Sequence, residues 1–155
     1  MRRFACLCCM AALVGCAKTE NRAATDTATR AVAPAGAPTR VRLADVAGKW
    51  RVKAVTESGD SVLAFVLTAT ADSTGWTQTF PGRAPVPVRV VAVAGDSIVT
   101  ESGPYESVLR KGIQVRTHSV MRRQGDRLVG MTTARYQTTG PDTVRQVRTE
   151  GMRVP

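Results

Sequence analysis

From Leu43 onward, apolar and polar residues alternate with a period of two, and short glycine-centred breaks interrupt the alternation at regular spacing. Val86, Val88, Val90 and Ala92 stand against Pro87, Arg89 and Val91; Ile113, Val115, Thr117 and Met121 stand against Gln114, Arg116, His118 and Arg122. A strand sends successive side chains to opposite faces, so this pattern predicts β-strands with one face toward a core. The breaks repeat a Gly-Asp pair, in Ser58-Gly59-Asp60-Ser61, Ala94-Gly95-Asp96-Ser97 and Gln124-Gly125-Asp126-Arg127. Glycine at the first central position suits a two-residue hairpin turn. With looser turns at Asp72–Gly75, Pro81–Pro85 and Thr138–Asp142, the breaks predict eight strands near 49–57, 61–70, 75–80, 86–94, 97–102, 113–123, 127–137 and 143–150. Strands joined in series by short turns make an antiparallel meander, and no helical pattern of useful length competes with it.

A meander of this length removes its exposed edges by closing into a barrel, with a simple sandwich as the alternative. Eight strands enclose a lumen that is either filled by side chains or just wide enough for one small molecule. Ala64, Ala92, Gly130, Thr132 and Ala134 are the small residues expected inside. Trp50, Trp76, Phe80 and Tyr136 are the bulky ones, and would either line a ligand pocket or plug the floor. The run Val62 to Leu67 is apolar on both faces, which predicts that the loop Pro104–Gly112 covers its outer side; an uncovered strip would be a docking surface.

The segment Leu43-Ala44-Asp45-Val46-Ala47-Gly48-Lys49-Trp50 resembles the opening of lipocalin-like barrels, in which a short turn caps the floor and Gly-x-Trp begins the first strand. The resemblance implies a small lipocalin-like or avidin-like β-barrel. It also implies that Trp50 packs under an arginine from the end of the chain. Arg153 and Arg148 are the candidates, and Gly48, Trp50 and Arg153 make up the expected motif.

The first residues follow a different pattern. Met1-Arg2-Arg3 precedes a short apolar stretch from Phe4 to Val14, then small residues and Cys16. A basic start, an apolar segment of about 7–15 residues and small residues at a cut describe a secretory signal, and the stretch falls short of the roughly 20 apolar residues that span a bilayer. Leu13-Val14-Gly15-Cys16 resembles the lipobox of bacterial lipoproteins, which are cut before the cysteine and acylated on it. That implies a signal peptide over 1–15, permanent membrane attachment through acyl chains on Cys16, and a lipid-anchored envelope protein. Ala17 after the cysteine favours the outer membrane, facing the periplasm, if the cell is Gram-negative with the familiar sorting rule. Cys6, Cys8 and Cys9 would leave with the signal, so no disulfide or thiolate metal site is expected in the mature chain. Residues 16–42 are rich in Ala, Thr and Pro without apolar periodicity and read as a disordered tether before a barrel domain at 43–155. A flexible coil of about 25 residues spans roughly 25–30 Å.

The formal charge of +10 is shared unevenly. Removal of Arg2 and Arg3 leaves +8; Lys18, Arg22, Arg30, Arg40 and Arg42 against Glu20 and Asp26 give the tether +3, and the barrel keeps +5. Basic residues beside an anionic membrane gain about 1 kcal/mol each. Catalytic patterns are lacking. His118 is the single histidine, Asp60, Asp72, Asp96, Asp126 and Asp142 sit in turns, and Glu101 and Glu106 flank Tyr105 without a meaningful spacing. No nucleic-acid partner is expected, because the six aromatics of residues 43–155 are scattered rather than interleaved with the basic residues. No cofactor is expected and the protein reads as a non-enzyme. Two functions remain: non-catalytic binding of a small apolar ligand in the lumen, or a filled barrel acting as an interaction module. The module would display Pro81–Pro85, Pro104–Ser107 and a basic outer face (Arg89, Arg116, Arg122, Arg123, Arg135 and Arg145) to an envelope protein or anionic lipid.

Overall fold

The computed structural model describes residues 40–155. The expected signal, Cys16 and most of the tether lie outside the described residues. A four-residue helix, α1 (Leu43–Val46), leads into eight strands: β1 (Gly48–Val55), β2 (Ser61–Ala69), β3 (Trp76–Thr79), β4 (Val86–Ala94), β5 (Ser97–Glu106), β6 (Gln114–Gln124), β7 (Arg127–Tyr136) and β8 (Val144–Arg153). Each strand pairs antiparallel with its neighbour in the chain, and β1 pairs with β8, so the meander closes into a barrel. All eight strands and the closing ladder lie within 48–153, so the fragment 40–155 carries its complete core.

Alternation builds the wall. In β1, Trp50, Val52 and Ala54 are buried while Lys49, Arg51 and Lys53 are exposed. In β6, Val115 and Met121 face in while Arg116, His118 and Arg122 face out. Charged side chains at mid-strand make this outer wall suited to water. An Arg or Lys on the lipid face of a membrane-spanning barrel would cost about 2–4 kcal/mol at mid-bilayer. Gly95 and Gly125 adopt positive φ (58° and 60°) in tight turns between β4–β5 and β6–β7.

The structure departs from the sequence expectations at four places. The β1–β2 connection is a five-residue loop rather than a two-residue turn; Thr56 N–H donates to the Asp60 carbonyl, and Gly59 N–H to that of Thr56. A bulge between Val90 and Ala92 shifts the register of β4, so Ala92 turns outward and Val93 pairs with Ile98 instead. Ala64 likewise lies on the outer face, leaving Leu63, Phe65 and Leu67 as the inward side of β2. Finally, β5 continues past Gly103-Pro104 through its own bulge to Glu106, and the segment after it closes one end of the barrel rather than covering β2.

The two poles differ. At one, called the floor here, Trp50, Trp76, Ile98, Val46 and Val52 are essentially inaccessible, packed with Leu67, Ala69, Val88, Met121 and Leu128. Both indoles are satisfied: Trp50 Nε1–H donates to the Val46 carbonyl at 2.8 Å and Trp76 Nε1–H to that of Asp72 at 2.8 Å. Arg153, paired in register with Trp50, stacks over its ring at 4.4 Å. The same guanidinium donates to the carbonyls of Ala47 (2.7 Å) and Asp45 (3.0 Å), joining the last strand to α1. Gly48 permits this. Its φ is +129°, and a Cβ there would lie 2.8 Å from Arg153 Nη1. Arg148 is instead exposed and pairs with Glu150 at 3.3 Å.

Candidate functional site

The other pole holds a chamber. Going up from the floor, the inward residues change from large hydrocarbon to hydroxyl and amide. Gln78 Nε2–H donates to Ser102 Oγ at 2.8 Å, Ser102 and Thr117 share a bond at 2.9 Å, and Ser119 and Thr132 share one at 2.8 Å. Thr100 and Thr149 are buried in the same zone. Four rings share the chamber with this polar layer, Phe65 reaching down to the floor core. Phe65 and Phe80 have centroids 5.5 Å apart, Phe80 and Tyr105 5.6 Å apart, and Tyr136 completes the lining. Burial pushes the Tyr105 hydroxyl above its ordinary pKa, with the nearby Thr117 and Gln78 side chains acting in the opposite direction.

The chamber holds about 60 Å³ and opens in part to the outside, with a deeper gap of about 20 Å³ reaching toward the floor. Among the described residues its lining offers no acid, histidine or cysteine, and the one charged residue is Arg145, exposed on β8. Of the bulky residues expected at a pocket, Phe80 and Tyr136 line the chamber, whereas Trp50 and Trp76 belong to the floor and do not reach it. The reason is register: both tryptophans stand at the floor ends of β1 and β3, where α1 and Arg153 close over them. Among the expected small residues, Thr132 and Ala134 line the chamber. Gly130 is small for another reason, because a Cβ there would collide with the Val120 carbonyl on the adjacent strand.

The roof is a strap, residues 107–113, whose Ser107, Val108 and Leu109 line the chamber. The apolar run of β2 predicts this segment on the outside of the barrel; the structure turns it over the mouth. It is held from three directions. Ser107 Oγ accepts from the Leu109 and Arg110 amides, both at 3.1 Å. Arg83 Nη1–H, from the β3–β4 loop, donates to the Glu106 carbonyl at 2.6 Å. Arg110 stacks over Tyr136 at 4.3 Å and donates to the Asp142 carbonyl at 2.8 Å. The two loops suspected as display surfaces, Pro81–Pro85 and Pro104–Ser107, are therefore tied to one another at the mouth.

The outer wall carries a second arrangement. Arg116 and Arg135 are direct cross-strand partners on β6 and β7, and both line a surface groove with Arg89, Glu101 and His118. Arg89 binds Glu101 at 2.6 Å, while Arg116 and Arg135 form no ion pair among the described residues. Like charges directly opposite destabilise a sheet. No family of known proteins, no curated protein and no solved structure matches this chain.

Proposed function

We propose that this protein is a non-catalytic binding barrel that takes one small, mostly apolar molecule in its lumen and is held at the cell envelope by acyl chains on Cys16. The chamber beneath the strap carries this reading: a ring of aromatics over a tightly packed floor, roofed by a segment pinned from separate loops. Its lining supports binding without catalysis, since it presents rings, methyls and hydroxyls with no acid or base among them. The Trp50–Arg153 stack at the floor supports the lipocalin-like resemblance. Drug-sized ligands occupy roughly 300–1,000 Å³. At about 60 Å³ the chamber suits a compact ligand, and a larger one requires the strap to lift.

Native mass spectrometry on residues 40–155, exported without Cys16 and purified from the periplasm, tests this. A reproducible adduct supports a carrier, and its mass begins to name the ligand. A clean apo mass favours the second reading, an interaction module. The unpaired Arg116–Arg135 couple supports that alternative, since an anionic partner would relieve it.

A further inference from the structure

Among the described residues, Thr149 Oγ1 is the buried side-chain polar atom with no hydrogen-bond partner. Thr149 stands mid-barrel on β8, 4% exposed, and lines both the chamber and the deeper gap. A buried hydroxyl left unpaired costs about 1–3 kcal/mol. The other hydroxyls of the layer bond one another, Thr132 with Ser119 and Ser102 with Gln78 and Thr117, and none lies within hydrogen-bond reach of Thr149 Oγ1. Valine has nearly the same shape and would fill the site without that cost. A threonine on the wall of this space, its hydroxyl buried with no partner among the described residues, is explained by a partner that comes from outside them and meets the hydroxyl once the side chain turns inward.

The surroundings define that partner's chemistry. The polar layer at this depth contains hydroxyls and one amide, all neutral. Arg145, the charged lining residue, is exposed two positions beyond Val147 on the same strand. A carboxylate or ammonium brought down to Thr149 would lose its hydration and meet no opposite charge, a combination proteins avoid. A hydroxyl, carbonyl or amide would exchange its water for Thr149 at little cost. Above it, Phe65, Phe80, Tyr105 and Tyr136 offer a surface for hydrocarbon.

We infer that the chamber takes a small neutral molecule polar end first, its hydroxyl, carbonyl or amide meeting Thr149 and its apolar body lying against the four rings beneath the strap. This rests on the ligand-binding reading above and assigns the ligand's class and orientation.

The test is an NMR titration of residues 40–155 with n-butanol, n-butyramide and sodium butyrate, repeated on Thr149→Val and Thr149→Ser. The two neutral probes should give saturable shifts at residues 132–134 and 147–149. Binding should weaken at least tenfold in Thr149→Val and return in Thr149→Ser, with butyrate at least tenfold weaker than butanol throughout. Thr149→Val should unfold no earlier than the parent, so lost binding is not lost folding. Neutral probes that bind Thr149→Val as well as the parent, or butyrate that binds as well as butanol, would overturn the class and orientation and leave the carrier reading standing. If the parent takes no probe yet carries an adduct after export, loss of that adduct in Thr149→Val supports the inference and its retention overturns it. If there is neither probe binding nor adduct, the carrier reading itself falls.

Discussion

The floor and the chamber are made by the same eight strands and use them in opposite ways. At the floor, two tryptophans, a four-residue helix and an arginine from the last strand interlock so closely that a Cβ on Gly48 would push the arginine out of place. Near the mouth, the rings are tilted, the polar layer contains an unpaired hydroxyl, and the roof is a loop held by arginines rather than a packed helix. The difference separates stability from binding. One pole holds the barrel shut, which leaves the other free to carry space and an unsatisfied group that a close-packed interior would eliminate.

If the floor is what stabilises the barrel, Trp50→Ala should cost the most, about 3–5 kcal/mol as a fully buried aromatic, read from chemical unfolding of residues 40–155. A loss below about 1 kcal/mol would remove the contrast between the poles. Next comes Arg153→Ala, which gives up a stacked cation and two charged donors to backbone carbonyls. About 2–3 kcal/mol is expected by the same assay. Arg110→Ala sharpens the comparison from the mouth. Its exposed ion pair and stacking contribute under about 1 kcal/mol to global stability, but amide exchange across residues 107–112 should quicken about tenfold. Unchanged exchange would show that the strap is held without Arg110. The smallest effect is a pH dependence at Tyr105. Burial keeps its phenol protonated in the folded chain beyond about pH 10, where the unfolded chain releases the proton. Its contribution is therefore present below about pH 10 and is lost as pH rises toward the folded value. The unfolding midpoint of the parent should fall faster than that of Tyr105→Phe as the pH rises above about 10, and parallel curves would place the hydroxyl in water.

Much of the barrel is readable from the residues because period-two alternation and Gly-Asp turns are local signals. β4 spans 86–94 as expected, and β7 falls one residue short of its expected end. The misses are non-local. Nothing in Val90-Val91-Ala92 marks a bulge, yet one residue of extra chain sends Ala92 outward. Gly103-Pro104 reads as the end of a strand, because proline cannot donate to a ladder. The bulge there lets pairing resume at Tyr105 and hides the residue that completes the aromatic ring. That Phe80 and Tyr136 face the lumen is legible from size and phase alone. Trp50 and Trp76 have the same phase, and their height along the barrel, set by register, decides that they plug the floor. The polar layer left a trace in the alternation, where Thr117, Ser119 and Thr132 stand at inward positions. The absence of a partner for Thr149 becomes visible only once its neighbours' bonds are assigned.

Backbone bonds at the floor also fix where the described chain enters and leaves the barrel. Val41 N–H bonds the Gly95 carbonyl in the β4–β5 turn, and Val154 N–H bonds the Lys49 carbonyl, so both ends emerge at the floor. Anything joined to the barrel before residue 40 or after residue 155, whether a lipid tether, a fluorescent tag or a bead, is attached at the pole opposite the strap. The barrel can be held by either end with its mouth presented outward.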